Sequence, residues 1–242
     1  MRSVPRLAAA IWLLAEMPLS GASSWQKKPF AEWSRDDVLR LLTDSPWAKT
    51  ETLTFDFKEA VPGGPVTWKD LGVPGSGQAP TVQGGSPVGG IGAPRSKDKI
   101  DADINVRWSS ALPVRRARAL TQFGPGGLDS EAAREVLAAD EKFYVLEISG
   151  VPAAVAFHGL EAMQAELYRT VRLTTGSRRS LAPDSVYVAP RGVTLNITFR
   201  FPRTRPVTAE DKKLELRLDY GLLKLRREWK LSDLAYERKL EL

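Results

Sequence analysis

Hydrophobic and polar residues alternate most regularly over the last fifty positions. Val193, Leu195, Ile197, Phe199 and Phe201 interleave with Thr194, Asn196, Thr198 and Arg200, the two-residue period of a half-buried strand. Pro202 and Pro206 break the pattern. It resumes with Leu214, Leu216 and Leu218 against Glu215 and Arg217, and Asp219-Tyr220-Gly221 supplies a turn. In the next run Leu223, Leu225, Trp229 and Leu231 share one parity, while Lys224, Arg226, Glu228 and Lys230 take the other. The pattern predicts one antiparallel sheet with a covered apolar face and a wet charged face. Val186 to Val188 is expected to pair with the strand from Val193 across Pro190-Arg191-Gly192.

Upstream the period lengthens. Ser34 is placed as an N-cap, with Asp37 three residues on and Trp33 and Val38 at the staple positions. Val38, Leu41 and Leu42 give the helical face that follows, and Pro46 stops it. Leu53, Phe55 and Phe57 alternate with Thr52, Thr54 and Asp56, and Ile104, Val106 and Trp108 with Asn105 and Arg107, so two strands are predicted. A helix with Ser109 or Ser110 as its cap then carries Val114, Ala117, Leu120 and Phe123 inward, and leaves Arg115, Arg116 and Arg118 away from the core. Further helices are expected from Asp129 or Ser130 to about Asp140 and from about Leu160 to Thr170, flanking the apolar strand Phe143 to Ile148. Together these predict an α+β fold, a mostly antiparallel sheet with three or four helices on one face.

Between Val61 and Arg95 the chain holds ten glycines and six prolines. So few large apolar side chains cannot offset the entropy of ordering, and residues 61–98 read as a disordered loop inserted into a single domain over residues 25–242. Gly89-Gly90-Ile91-Gly92 lies inside that loop, without the preceding strand or the following lysine of a phosphate-cradling turn.

Residues 1–24 read as an export signal: Arg2 and Arg6 precede an apolar run from Leu7 to Leu14, and Ser20-Gly21-Ala22 offers small residues for cleavage. The run is far short of the roughly 20 residues that span a bilayer, so no transmembrane segment is expected after cleavage. A periplasmic or extracellular location follows. The chain has no cysteine, which excludes disulfides and lipid attachment at that residue. Removing Arg2, Arg6 and Glu16 with the signal leaves 33 basic and 28 acidic side chains, a net charge of +5, which favours anionic surroundings without demanding them.

The segments Lys28-Pro29-Phe30-Ala31-Glu32-Trp33-Ser34 and Leu42-Thr43-Asp44-Ser45-Pro46-Trp47-Ala48, with Phe199-Arg200-Phe201-Pro202-Arg203 and Lys239-Leu240-Glu241-Leu242, resemble a group of uncharacterised exported bacterial proteins with a Gly-rich insert. The resemblance implies export and a single domain. It brings no catalytic residue.

Candidate chemistry is sparse. His158 is the one histidine and sits in a turn, no Gly-x-Ser-x-Gly elbow exists, and a histidine–cysteine zinc set is impossible. Asp101 with Asp103 and Asp36 with Asp37 are carboxylate pairs with ordinary readings, a loop exit and a helix N-terminus. No metal or cofactor is indicated. Asn196-Ile197-Thr198 matches a glycosylation acceptor but lies mid-strand, and an aromatic-and-basic nucleic-acid motif is lacking. The more informative feature is basic: Arg200, Lys224, Arg226 and Lys230 project on the polar parity, partly offset by Glu215, Asp219 and Glu228. The expectation is a non-enzymatic binding module whose partner is an anionic envelope component or a protein. The alternative is a hydrolase of envelope or extracellular polymers working through paired carboxylates, whose spacing is spatial and invisible in sequence.

Overall fold

The computed structural model describes residues 24–57, 99–138 and 142–242. The predicted export signal up to Ser23, the predicted disordered loop over 61–98 and its Gly89–Gly92 run lie outside the described residues.

Helix α1 (Arg35–Thr43) begins where the sequence places it. Asp37 donates its backbone N–H to Ser34 Oγ at 3.1 Å, and Asp37 Oδ2 accepts from the Ser34 N–H at 3.0 Å, so two orphan donors are satisfied reciprocally. Strand β1 (Ala48–Asp56) follows, and pairs antiparallel with β2 (Lys99–Trp108), Phe55 opposite Ile100 and Leu53 opposite Ala102. Helices α2 (Leu112–Phe123) and α3 (Glu131–Leu137) come next; α2 packs on α1 and α3 on α2. Strand β3 (Phe143–Pro152), helix α4 (Leu160–Thr170), β4 (Arg172–Thr175), β5 (Ser180–Leu181), β6 (Ser185–Arg191) and β7 (Thr194–Pro202) lead to β8 (Lys213–Tyr220) and β9 (Leu223–Lys230). A two-residue ladder of β10 (Ala235–Tyr236) with β11 (Lys239–Leu240) closes the described chain.

The fold class is α+β, with four helices among the described residues and antiparallel pairing throughout. Apart from the β10–β11 ladder, the strands divide into two sheets, however, where the sequence pattern suggests one continuous array. The larger has the order β1-β2-β3-β7-β6, the smaller β5-β4-β8-β9. The reason is geometric. Both edges of β7 are occupied, by β3 and β6, so β8 has nowhere to add; Pro202 ends β7 and Pro206 lies in the crossing segment, neither with an N–H group to continue a ladder.

The apolar parities of both sheets join in one core: Leu146, Ile148, Ile197 and Phe199 from the larger, Leu214, Leu216 and Leu225 from the smaller. The sheets touch where Trp108 of β2 meets Trp229 of β9, ring centroids 5.1 Å apart. Trp25 is only 1% exposed and lies edge-on to Trp33 and Trp47 at 5.8 Å each, which ties the start of the described chain into the interior. Strand β3 carries a bulge between Ile148 and Val151. Gly150 makes it possible: φ is +89°, and a Cβ there would lie 2.1 Å from the Asp103 carbonyl oxygen.

Two arginines predicted to face water are instead enclosed. Arg115 is buried, with Nε donating to the Ser110 carbonyl at 3.0 Å and Nη1 to that of Leu137. Arg116 lies over the rings of Phe30 and Tyr236, 4.9 and 5.3 Å from their centroids, and pairs with Glu237. Neither serine caps α2. Its N-cap is Ala111, and the first free N–H, that of Leu112, donates to Glu241 Oε2 at 3.0 Å.

Candidate functional site

The net charge of the chain is concentrated at one end of the sequence. Residues 172–242 hold 16 Lys and Arg against 9 Asp and Glu, a net +7, so the remaining residues, with 19 against 20, sum to −1. Much of that basic segment is the smaller sheet.

Its two long strands bury alternate side chains: Leu214, Leu216, Leu218 and Tyr220 on β8, and Leu223, Leu225 and Trp229 on β9. The other parity is open. Lys213, Arg217 and Asp219 of β8 and Lys224, Arg226, Glu228 and Lys230 of β9 are exposed there. The register places like charges opposite one another. Arg217 faces Arg226 and, on its other side, Arg172 of β4, so three arginines stand in one row across three strands. Neighbouring strands are only about 4.8 Å apart, and like charges directly opposite are destabilising.

Acids relieve part of this diagonally. Glu215 accepts from Arg217 and from Arg226 Nε at 3.0 Å, and the hydrogen bond from Arg217 in particular holds its carboxyl below the usual carboxylate range. Lys213 pairs with Glu228 at 2.6 Å, and Lys224 stands 4.0 Å from Asp219. Six cations (Arg172, Lys213, Arg217, Lys224, Arg226, Lys230) thus share three acids on this face. Arg172 and Arg217 are not among the predicted anion-binding residues, because their place in the row depends on strand register, which no local pattern specifies.

Of the four predicted anion-binding residues, three lie together on β9: Lys224, Arg226 and Lys230. Arg200 does not join them. It is on β7, in the other sheet, with its guanidinium 4.5 Å from the centroid of the Phe143 ring. The predicted common face therefore excludes Arg200, for the same reason that β8 could not pair with β7.

Beyond Lys230 the face runs into a cleft of about 420 Å³ between the α1–β1 connection and the end of β9, lined by Asp44, Lys49, Arg227, Glu228, Trp229 and Lys230, with Asp233 at one side. Lys49 pairs with Asp44 there. A second concavity of about 650 Å³ lies between α4 and the edge strand β6, with Glu161, Gln164, Asp184 and the exposed rings of Tyr168 and Tyr187.

Of the two carboxylate pairs, three members have structural partners. Asp101 accepts from Thr54 at 2.6 Å and Asp103 from Thr52 at 2.7 Å, cross-strand contacts between β2 and β1. Asp37 belongs to the cap of α1. Among the described residues no group of three His, Asp or Glu could hold a metal ion, and His158 is exposed against Phe157. No helix among the described residues is long and apolar enough to cross a membrane. No protein-family model, curated protein or solved structure matches the chain.

Proposed function

We propose that this is an exported, non-enzymatic binding protein whose working surface is the exposed face of the smaller sheet, and whose ligand is an anionic component of the cell envelope. The observation that carries the reading is the row Arg172, Arg217 and Arg226, in register across three strands and supplied with too few acids. A folded protein that gathers like charges into adjacent positions accepts a repulsive cost, which a polyanion lying across the strands would remove. Export is supported by the Arg2–Leu14 pattern and fits the burial of Trp25: cleavage before that residue preserves the tryptophan cluster, whereas cleavage after it would open the core.

The test is cosedimentation with phosphatidylglycerol vesicles, with neutral phosphatidylcholine vesicles as the reference. Binding to the anionic vesicles is expected at 0.1 M salt, where the screening length is about 10 Å, and should be lost at 1 M, where it is about 3 Å. Equal binding to both lipids, or binding that ignores salt, would contradict the proposal.

A further inference from the structure

Arg227 occupies the wrong parity for a charge. On β9 it falls between Leu225 and Trp229, on the side that faces the core, opposite Leu216 of β8. Its Nε is sealed from solvent and has no hydrogen-bond partner, and among the described residues its guanidinium makes no hydrogen bond or ion pair at all. Glu51, on the core-facing parity of β1 with a sealed and unpartnered oxygen of its own, does not pair with it. A guanidinium is a fork of five donors that cannot shed its charge, so a sealed Nε without an acceptor is costly, while the Nη groups, which are not sealed, are left to meet whatever enters the cleft.

The surroundings show what would answer it. Arg227 lines the 420 Å³ cleft, and so does Lys230, which makes no ion pair among the described residues and lies opposite another cation, Lys213. Lys49 reaches the same cleft from the facing edge strand, with Asp44 as its partner; both side chains are exposed, so that pair is held weakly. Of the acids, Glu228 is engaged by Lys213, while Asp233 accepts from the neutral Ser232 hydroxyl at 3.0 Å and makes no ion pair among the described residues. Arg227 and Lys230 thus line the cleft with no hydrogen bond or ion pair among the described residues, a planar fork from the core-facing parity of β9 and a point charge from its exposed parity, and Asp233 is the one lining acid without an ion pair.

We infer that this cleft is a discrete oxyanion pocket that takes a phosphate group, with Arg227 as its bidentate anchor and Lys230 and Lys49 as flanking cations. Two adjacent phosphate oxygens match the guanidinium fork, and lysines add charge without demanding geometry. The inference rests on the reading of the adjoining face as an anion-binding surface and gives that surface one specific seat. The phosphate can be free, or be the headgroup of a lipid or the diester of an envelope polymer.

Thermal unfolding of the purified protein in inorganic phosphate, against chloride at matched ionic strength, reads the pocket directly. The wild type should show a saturable rise in melting temperature. Arg227→Gln should weaken the apparent phosphate affinity at least tenfold, and Lys230→Gln, an exposed change that cannot disturb folding, several-fold. Arg227→Leu continues the apolar parity of β9, so in phosphate-free buffer it should melt at or above the wild-type temperature while losing the phosphate response. A merely structural arginine would give the opposite, a lower melting temperature in either buffer.

Vesicle cosedimentation of Arg227→Gln separates the sources: weaker binding to phosphatidylglycerol assigns the pocket to a headgroup, and unchanged vesicle binding with a lost phosphate response assigns it to free phosphate. Lys224→Glu/Arg226→Glu should lose vesicle binding and keep the phosphate response, so the failure of the face and the failure of the pocket appear in different measurements. No saturable difference between phosphate and chloride in the wild type, or an Arg227→Gln response equal to that of wild type, overturns the inference.

Discussion

Glu147 stands half-buried on the outer parity of β3, where Arg107 of the neighbouring strand donates to it at 2.6 Å and Arg118 of α2 approaches to 3.4 Å. Burial alone would raise its pKa; the two guanidiniums outweigh that, and its carboxyl titrates below the usual value. A depressed folded-state pKa means stability that is present above the unfolded value of about 4.3 and is lost as pH falls through the folded one. Arg107→Met should therefore cost about 1–3 kcal/mol at pH 7 by leaving a half-buried carboxylate short of its nearer partner. In urea unfolding the gap between mutant and wild type should narrow below pH 4, and a gap that is constant with pH would show that the pair contributes nothing. Arg107 and Glu147 could be read from the sequence only as members of strands. The fates of Arg115 and Arg116 were still less legible, since their partners Leu137, Tyr236 and Glu237 lie 22, 120 and 121 positions away. Arg227, by contrast, was readable: a cation on the apolar parity between Leu225 and Trp229 breaks the alternation in plain view.

Elements whose signals are local formed where the pattern put them. Ser34 and Asp37 cap α1, Ser130 caps α3 by accepting from the Ala133 N–H at 3.2 Å, and β6 pairs with β7 across the Gly192 turn. Elements whose ends depend on distant residues did not. Helix α2 begins at Leu112 without a capping side chain of its own, and the acceptor comes from Glu241, whose backbone carbonyl also accepts from Trp47 Nε1 at 2.8 Å. One residue near the end of the chain thus fixes both a helix start and a core tryptophan. Glu241→Ala should destabilise the fold by about 0.5–2 kcal/mol, the usual cost of losing an N-cap acceptor, and Glu241→Gln should recover most of it. Urea unfolding of both variants checks this; an alanine variant as stable as wild type would show that α2 has no need of the cap.

At the scale of the whole molecule, β1 and β2 are neighbours in the larger sheet although residues 58–98 separate them in sequence. That pairing supports the reading of the Gly/Pro segment as an insertion within one domain. Closing roughly 40 residues instead of about 5 is some three doublings of loop length, or about 2 kcal/mol of added entropy cost. Replacing residues 62–97 with a short Gly/Asn turn should leave folding intact and raise the melting temperature modestly. A shortened chain that is insoluble, or that melts well below wild type, would contradict it.

The division into two sheets is a whole-molecule property too, and it bears directly on function, because it removes Arg200 from the basic face and brings Arg172 and Arg217 into it. If the face is the binding surface, position on it matters, and not positive charge in general. The most direct measurement compares two double charge reversals of equal net change in salt-dependent binding to phosphatidylglycerol vesicles: Lys224→Glu/Arg226→Glu on the exposed face of the smaller sheet, and Arg35→Glu/Arg191→Glu on exposed sites of α1 and β6. The first should lose most vesicle binding and the second keep it to within about twofold, a difference of about 0.4 kcal/mol. Equal losses in the two variants would mean that net charge alone governs binding, and that the exposed face of the smaller sheet is not the binding surface.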